Sequence, residues 1–407
     1  MVEKGQHITE HDAQDRDTQS IVHRYDRVLL GVVICLMALG IVLVYSASIV
    51  SAEQNFGDAR FYLKRQSIYA LISLGVMGVA MNIHYSIWER VSKFVLVAGI
   101  AGLVVVLIPG VATSVKGAVR WISLGPIRIQ PSEIIKLAWI IFLAAFISAR
   151  GQLIHNFRAG WVQPLMLMGL IALLLMSQPD FGSTLICAGM MVLLLWVGGA
   201  RWKHLLAIIS GGVGLIIAAV ISEPYRMKRI MAFINPSADQ LSVSYHIRQA
   251  LISFGSGDWF GLGLGESKQK LFYLPEAHTD FVFSILGEEM GLLGVVFVIG
   301  LYAVFVWRGL RLTRLTMNTF GGMLAFGLTA EIGFQAVTNM AVSMALLPTK
   351  GLTLPFVSFG GSSLVTLGLA SGILLNISKN QPAPQWFDRQ QQGRYAAAKA
   401  LLAKEAS

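Results

Sequence analysis

The sequence has little charge and almost no cysteine. Of its 407 residues, 13% are Asp, Glu, Lys or Arg and 55% are hydrophobic, whereas a soluble domain carries about 25% charged residues. A soluble protein of this length would divide into two or three domains, each covered by charged side chains, so the composition argues against a soluble architecture. Both cysteines, Cys35 and Cys187, lie in apolar runs, which excludes a disulfide framework and a cysteine metal site.

Several functional classes lack their sequence features. The chain contains no H-E-x-x-H, no G-x-S-x-G and no Walker loop, and its eight histidines are dispersed. The formal net charge is +10, but the basic residues are scattered between apolar segments and form no dense patch with aromatics, so we expect no nucleic-acid partner. The first 27 residues are polar without the apolar core of a signal peptide, so the first apolar segment is expected to remain as a membrane anchor.

Long apolar runs dominate the rest of the chain and predict membrane helices. A helix needs about 20 apolar residues to cross a bilayer, and ten such stretches occur. They are residues 28–48, 67–83, 91–108, 132–148, 162–176, 183–199, 204–222, 281–307, 321–346 and 357–377. The predicted fold is therefore an all-α polytopic membrane protein with ten transmembrane helices. It comprises an N-terminal segment (1–27), a membrane domain (28–380) with a large loop between helices 7 and 8 (223–280), and a mostly disordered tail (381–407).

The distribution of Lys and Arg predicts the orientation in the membrane. The two termini and the even-numbered loops carry more than twice as many basic residues as the odd-numbered loops, once the long loop 7 is set aside. Long loops follow the positive-inside rule poorly, which justifies that exclusion. Both termini are therefore predicted to be cytoplasmic, and loops 3, 7 and 9 extracytoplasmic.

Loop 7 is the longest segment predicted outside the membrane, and loops longer than about 15 residues are usually functional or disordered. Residues 224–231 are amphipathic and predict a helix at the membrane interface, and residues 245–250 predict a second helix. A glycine cluster follows at residues 255–265, without the strand and the G-x-G-x-x-G spacing of a nucleotide site. We expect these glycines to shape turns or to let backbone amides approach an anionic group.

Asp280 lies where loop 7 meets the eighth span. An ionisable group at the edge of the hydrocarbon is costly and indicates a functional site. Asp280, with Thr279 before it, also satisfies the preference for Asp at a helix N-cap, so both interpretations stay open. Glu288 and Glu289 follow in the same span, and either one can partner a buried cation.

Loop 3 and its neighbours offer further polar residues on the same predicted side. Lys116 and Arg120 precede Glu133 and Lys136, which lie three residues apart on one helix face. That pair either neutralises two costly charges or lines a polar cavity. Asp180 lies in a turn between the fifth and sixth spans, where it either serves the turn or joins the same cavity.

These residues suit glycosyl transfer to a sugar hydroxyl. That reaction needs a carboxylate or imidazole to accept the hydroxyl proton, and cations to offset the charge of a departing diphosphate. Asp280 and the basic residues of loops 3 and 7 supply both on one face of the membrane.

Five segments that contain these residues resemble a known family. They are residues 116–122, 130–136, 178–182, 261–281 and 347–363, and the run Leu274–Phe281 is a specific signal. On these segments the chain resembles the SEDS family (shape, elongation, division, sporulation) of polytopic membrane proteins. The run Pro348–Pro355 is similar to the division branch of that family.

The resemblance implies an enzyme, an inverting peptidoglycan glycosyltransferase that polymerises lipid II during septal cell-wall synthesis. It implies a location in the bacterial inner membrane at the division septum. The implied partners are a class B penicillin-binding protein of the FtsI transpeptidase type and other divisome proteins. The family's essential acid matches Asp280, and the candidate substrate-binding residues are Lys116, Arg120, Glu133, Lys136, Asp180, Ser267, Lys270, Glu276 and His278.

Two alternatives stay open, a lipid II transporter (flippase) and an elongation-type polymerase. A transporter is expected to carry polar residues through the membrane midplane and on both sides, whereas most candidate charges here fall on the outer side. That asymmetry favours the enzyme. The sequence identifies no cofactor, and a divalent cation such as Mg²⁺ stays open.

Overall fold

The fold consists mainly of long helices. The computed structural model describes residues 25–110, 112–115, 118–124, 127–223, 227, 231, 233, 243–271, 274, 277–348 and 351–380. In that part of the chain the long helices are α1 (Arg27–Phe56), α2 (Phe61–Asn82), α3 (Ser86–Val106), α4 (Pro131–Arg150), α5 (Val162–Ser177), α6 (Phe181–Val197), α7 (Trp202–Ile221), α8 (Val243–Gly257), α9 (Val282–Leu315), α10 (Thr319–Ser343) and α11 (Gly361–Lys379). A 3₁₀ turn (Gly151–His155) and a single helical turn (Phe157–Gly160) connect α4 to α5.

A helix lies over each of the ten predicted stretches. By length and hydropathy, six helical segments of the described chain can cross a membrane: Arg27–Phe56, Pro131–His155, Trp202–Ile221, Val282–Leu315, Thr319–Ser343 and Gly361–Lys379. Helices α5 and α6 are apolar but shorter. The chain is therefore a helical polytopic membrane protein, and the count of ten crossings stays a prediction.

Local sequence explains where several helices begin and end. The Asp26 side chain accepts hydrogen bonds from the backbone amides of Val28 and Leu29, both at 3.0 Å, and so caps α1. Gly57 ends α1 in the left-handed conformation, with a φ of 67°. Pro131 occupies the first turn of α4, where its missing N–H costs nothing.

A small antiparallel sheet precedes α4, which the all-helical prediction did not include. Strands β1 (Ala112–Val115), β2 (Ala118–Leu124) and β3 (Ile127–Ile129) pair in the order β1-β2-β3. Ile122 pairs with Ala112 on one side and with Ile129 on the other. Loop 3 thus contains a sheet. The Gly-Pro sequence between β2 and β3 is typical of a turn, a signal that an analysis of hydropathy alone does not detect.

Both ends of the described membrane domain meet at one end of the bundle. The Asp26 amide donates to Ser378 Oγ at 3.0 Å, and the Asp26 carboxylate pairs with Arg308 at 3.2 Å. The Tyr85 amide donates to Asn376 Oδ1 at 2.8 Å. Loops 2 and 8 therefore lie at the same end of the bundle as the start of α1 and the end of α11.

The helices differ in how deeply they are packed. In the most apolar part of α4 and of α11, 78% of the residues are buried inside the protein. In the corresponding part of α7, only 6% are buried. Helices α4, α10 and α11 therefore form the centre of the bundle. Helix α7 lies at its periphery and exposes its apolar surface to the surrounding lipid.

Helix α9 is interrupted inside the membrane domain, and loop 7 fills the interruption. Gly291 has φ 63° and ψ −163°, which breaks the helical hydrogen-bond pattern. The carbonyls of Glu288 and Glu289 accept from the amides of Leu262 and Gly263, at 2.9 and 3.1 Å. Loop 7 thus supplies backbone donors that the interrupted helix lacks.

The reverse bonds complete the interlock between loop 7 and α9. The amides of Leu292 and Leu293 donate to the carbonyls of Asp258 and Trp259, at 2.9 and 3.2 Å. A Cβ atom on Gly257 would collide with the Gly287 carbonyl oxygen, so only glycine permits this approach.

The structure tests two expectations about loop 7. The helix predicted over residues 245–250 is confirmed as part of α8. The glycines at 261, 263 and 265 have positive φ angles, as expected of turns, and the close backbone packing against α9 is a further role that was not predicted. Most of the interfacial helix predicted at 224–231 lies outside the described residues, as do residues 1–24 and the tail from 381.

We predict that loop 7 is extracytoplasmic and loop 4 cytoplasmic. In a background with Cys35 and Cys187 replaced by Ala, Ser256→Cys and Gln152→Cys place one thiol at an exposed position in each loop. An impermeant maleimide added to spheroplasts is expected to label position 256 alone, and to label both positions after permeabilisation. Labelling of position 152 in sealed spheroplasts would reverse the topology.

Candidate functional site

Loops 1, 7 and 9 meet at the end of the bundle where α9 begins. The rings of Tyr62 and His278 lie 4.4 Å apart between centroids, and Phe359 packs against Tyr62 at 5.0 Å. The Phe359 amide also donates to the His278 carbonyl at 3.0 Å. Residue His278, a candidate from the sequence, is thus fixed by two other loops.

Asp280 lies two residues before α9 and is half-buried. Phe281, not Asp280, occupies the N-cap position of that helix. Asp280 Oδ2 lies 3.6 Å from the point where a Cβ on Gly351 would be, so the carboxylate faces the backbone of loop 9. Asp280 is therefore one residue before the N-cap of α9, and its chemical role stays a prediction.

Asn339 joins the two backbone segments that flank this carboxylate. Its side-chain Nδ2 donates to the Asp280 carbonyl at 3.0 Å and to the Leu352 carbonyl at 2.6 Å. Asn339 is buried in α10, with 1% of its surface exposed. This residue was not among the candidates from the sequence.

Loop 9 continues from this point to the turn between α5 and α6. A Cβ on Gly182 would lie 3.0 Å from the side chain of Leu352. Asp180 is the N-cap of α6: its carboxylate accepts from the Ser183 amide at 3.1 Å and from the Ser183 hydroxyl at 2.8 Å. Asp180 therefore serves the helix start, and it lies close enough to Lys136 to add to the electrostatic field there.

Arg120 connects the sheet of loop 3 to the same turn. From β2 its guanidinium donates to the carbonyl of Gln178 at 2.9 Å and to the carbonyl of Pro179. Because carbonyls are neutral, the positive charge of Arg120 is not cancelled by these bonds. The structure thus brings loops 3, 5, 7 and 9 together at one end of the bundle.

A buried charge cluster lies beneath this end. Lys136 Nζ is 2.8 Å from Glu133 Oε1 and 3.9 Å from Glu331 Oε1, and Lys136 is 2% exposed. The Gln335 amide donates to Glu331 at 2.8 Å. The predicted pair of Glu133 and Lys136 is therefore part of a larger group that joins α4 to α10.

Three members of the polar face of α10 were missed from the sequence. Glu331, Gln335 and Asn339 recur at intervals of four residues, which places them along one side of a helix. Polar residues at that spacing inside an apolar helix are the signal that could have identified them.

A second buried cation fixes loop 7. Lys270 Nζ lies 3.2 Å from Glu289 Oε1, donates to the Gly265 carbonyl and is 3.4 Å from Ser46 Oγ. The Ser46 hydroxyl donates to the same Glu289 oxygen at 2.5 Å. Of the two acidic residues expected to partner a buried cation, Glu289 does so.

Glu288 holds the adjacent part of loop 7. Its carboxylate accepts from the Ser267 hydroxyl at 2.5 Å and from the Lys268 amide at 2.9 Å. Ser267 and Lys270 therefore lie close to one another, and each binds an acidic residue of α9. Their role as substrate ligands stays a prediction.

Two candidate residues, Lys116 and Glu276, lie outside the described residues. Within the described residues no three His, Cys, Asp or Glu side chains come together in a way that would hold a metal ion. The described part of the site offers the half-buried Asp280 carboxylate at the start of α9 and, on the turn between α5 and α6, the Arg120 guanidinium bonded to two neutral carbonyls.

The fold and this site define a class: a polytopic helical membrane protein in which several loops bring polar residues, among them the half-buried Asp280, to one end of the bundle. The sequence model of the FtsW/RodA/SpoVE family, described as "Cell cycle protein", matches residues 26–383. The chain belongs to that family.

Curated relatives agree with this membership. The chain is 45% identical to "Probable peptidoglycan glycosyltransferase FtsW" of Trichlorobacter lovleyi, over 87% of the chain and 93% of the relative. It is 43% identical to a protein of the same name from Nitrosococcus halophilus, over 88% and 94%.

Two solved structures share the fold. One belongs to the study "Structural coordination of polymerization and crosslinking by a peptidoglycan synthase complex". It matches with a TM-score of 0.73 and 27% sequence identity, and the match covers 88% of this chain and 99% of that one. The rod shape determining protein RodA of Thermus thermophilus matches with a TM-score of 0.66 and 28% identity, over 88% and 98%.

We predict that Lys136 is essential for stability. Lys136→Met leaves Glu133 and Glu331 without their cation, and removing one partner of a buried pair costs about 3–5 kcal/mol. Glu133→Gln is expected to cost less because Glu331 still balances Lys136, and Lys136→Met with Glu133→Gln is expected to be milder than Lys136→Met alone.

Thermal unfolding in detergent measures these differences. Lys64→Met is the matched control, because Lys64 pairs with Asp58 at 2.7 Å with 64% of its side chain exposed, and exposed pairs add little stability. Equal melting temperatures for Lys136→Met and wild type would contradict the buried cluster.

We also predict that Lys270 holds loop 7 against α9. Lys270→Met strands the buried Glu289 carboxylate, so the amides of Leu262 and Gly263 are expected to exchange hydrogen faster and polymerisation is expected to weaken. Lys268→Met, an exposed neighbour that binds Glu288 through its backbone alone, is the control. If the amides of Leu262 and Gly263 exchanged hydrogen at the wild-type rate in Lys270→Met, the backbone bonds alone would hold loop 7 and the prediction would be wrong.

Proposed function

We propose that this chain is a peptidoglycan glycosyltransferase that polymerises lipid II in septal cell-wall synthesis, with Asp280 as its general base. The observation that carries the proposal is the position of Asp280. Its half-buried carboxylate faces the backbone of loop 9 at the mouth of the bundle. A lipid-anchored diphosphate and a polar glycan have to meet at such a boundary. The names of the relatives support the same activity.

In the proposed reaction Asp280 acts as the base during glycosyl transfer. The carboxylate accepts the proton of the acceptor sugar hydroxyl while that oxygen attacks the anomeric carbon of the lipid-linked donor. The bond from the anomeric carbon to the diphosphate breaks, and its electron pair leaves with the diphosphate. Inversion at the anomeric carbon follows from this single displacement.

The departing diphosphate needs a positive partner. Lys136 and Lys270 are already paired with carboxylates, so neither offers an uncompensated charge. The described bonds of Arg120 go to neutral carbonyls and leave its charge in place, so we propose Arg120 as a cation for the diphosphate. Lys116 is proposed for the same role from its sequence position.

The proposed setting follows from the topology and the relatives. With both termini cytoplasmic, the end of the bundle that carries Asp280 faces outward, where lipid II is used. A class B penicillin-binding protein of the FtsI transpeptidase type is the proposed partner, supported by the solved peptidoglycan synthase complex, one chain of which shares this fold. Location at the division septum, together with other divisome proteins, is proposed from the relatives named FtsW.

The structure also bears on the transporter alternative. Charged residues do lie inside the membrane domain, as a transporter needs, but Lys136 is 2% exposed and paired with Glu133 and Glu331. Among the described residues these charges compensate one another in a buried cluster that ties α4 to α10, which suits a structural link better than an open polar path. This observation supports the polymerase over the transporter.

We predict that Asp280→Asn lowers polymerisation to a small residual rate. Asn has the size of Asp but accepts no proton at neutral pH, and loss of a general base costs about 10²- to 10⁴-fold in rate. Purified protein, with its transpeptidase partner, is incubated with labelled lipid II, and glycan polymer is measured. Lipid II binding and the melting temperature are expected to stay close to those of wild type.

Asp258→Asn is the matched control for this substitution. Asp258 lies in the same loop with a φ of 46°, a conformation that Asn tolerates as well as Asp. It is expected to polymerise at the wild-type rate. Full activity in Asp280→Asn would refute the proposed base, and a wild type that moves lipid II across vesicles without making polymer would favour the transporter.

A further inference from the structure

Asn339 contacts both sides of the proposed catalytic carboxylate through one side-chain amide. Its Nδ2 donates to the carbonyl of Asp280 itself and to the carbonyl of Leu352, at 3.0 and 2.6 Å. Leu352 directly follows Gly351, the residue that the Asp280 carboxylate faces. One amide group therefore holds the backbone that carries the carboxylate and the backbone that the carboxylate faces.

We infer that Asn339 is the positioning residue that holds the Asp280 carboxylate in its reactive place, an inference that rests on the proposed function of Asp280. An amide nitrogen has two N–H donors at a fixed angle, which suits two carbonyl acceptors from different segments. Hydroxyl side chains have one donor, and an ionised carboxylate has none. Asparagine is thus a side chain of the right reach and donor number for this contact.

The support behind Asn339 is rigid. Asn339 is 1% exposed in α10, the helix that Glu331 ties to Lys136 of α4. Its Oδ1 atom has no hydrogen-bond partner among the described residues. The side chain is therefore oriented by its two donated bonds, and through them the position of the carboxylate depends on the central helices of the bundle.

The bond from Asn339 adds a support that the N-cap residue of α9 cannot supply. That residue is Phe281, whose side chain has no polar atom. The preceding residues run through turns of loop 7. Without Asn339, the peptide of Asp280 loses its hydrogen bond to α10, and a displacement of about 1 Å at a reacting group can cost about 10²-fold in rate.

The test compares kcat and KM for lipid II in Asn339→Leu, which has nearly the same shape and no donors. We expect kcat to fall about 10- to 100-fold, with KM within about twofold of wild type, because the substrate-binding surface is untouched. Asn339→Asp, which has the same shape and lacks the paired donors, is the second variant if Asn339→Leu accumulates poorly.

Asn376→Leu is the matched control. Asn376 is also buried, and it bridges two backbone groups: its Nδ2 donates to the Met81 carbonyl and its Oδ1 accepts from the Tyr85 amide, each at 2.8 Å. These bonds lie at the opposite end of the bundle. Asn376→Leu is expected to lower the melting temperature about as much as Asn339→Leu while leaving kcat unchanged.

A double variant separates positioning from general structure. In the Asp280→Asn background, Asn339→Leu is expected to add no further loss of polymer, because the group that it positions is already disabled. A full additional loss, or a normal kcat in both Asn339 variants while Asp280→Asn is inactive, would overturn this inference alone. An active Asp280→Asn would instead overturn the proposed function beneath it.

Discussion

A polar group inside the hydrocarbon must find its partner within the same chain, and this constraint organises the whole molecule. Lys136 meets it by pairing with Glu133 on its own helix and with Glu331 on α10. That pairing fixes the rotation of α10 relative to α4. Because Asn339 lies on the same side of α10 as Glu331, the buried charges also determine where the amide that holds Asp280 is placed. One face of α10 therefore links the buried charges that stabilise the centre of the bundle to the position of Asp280 at its end.

The helices were predictable because hydropathy is a local property of the sequence. A helix lies over each of the ten predicted stretches, and the family relationship implied by the motifs is confirmed. The sheet of loop 3 was missed because its strands are short and their register shifts between Thr113 and Ser114, which leaves only a weak alternation to detect. The interruption of α9 at Gly291 was also missed, because a glycine in an apolar helix has many tolerated uses.

The candidate site was predictable in its composition and less so in its contacts. Asp280 was identified from its position at the edge of a span, and the structure places it there. The choice between Glu288 and Glu289 as a cation's partner needed the path of loop 7, which brings Lys270 to Glu289. Arg120 likewise binds a turn that lies far away in sequence. Long-range partners of this kind depend on how the helices pack, which a single sequence does not encode in any local pattern.

The interlock at Gly291 has a consequence for how the protein is assembled. The carbonyls of Glu288 and Glu289 and the amides of Leu292 and Leu293 are paired with the backbone of loop 7. While α9 enters the bilayer, those groups have no water to bind, and each unpaired group costs several kcal/mol. Loop 7 therefore has to reach its place against α9 before all of these backbone groups are paired. The stable placement of α9 in the bilayer is thus coupled to the folding of loop 7, the segment that carries Asp280.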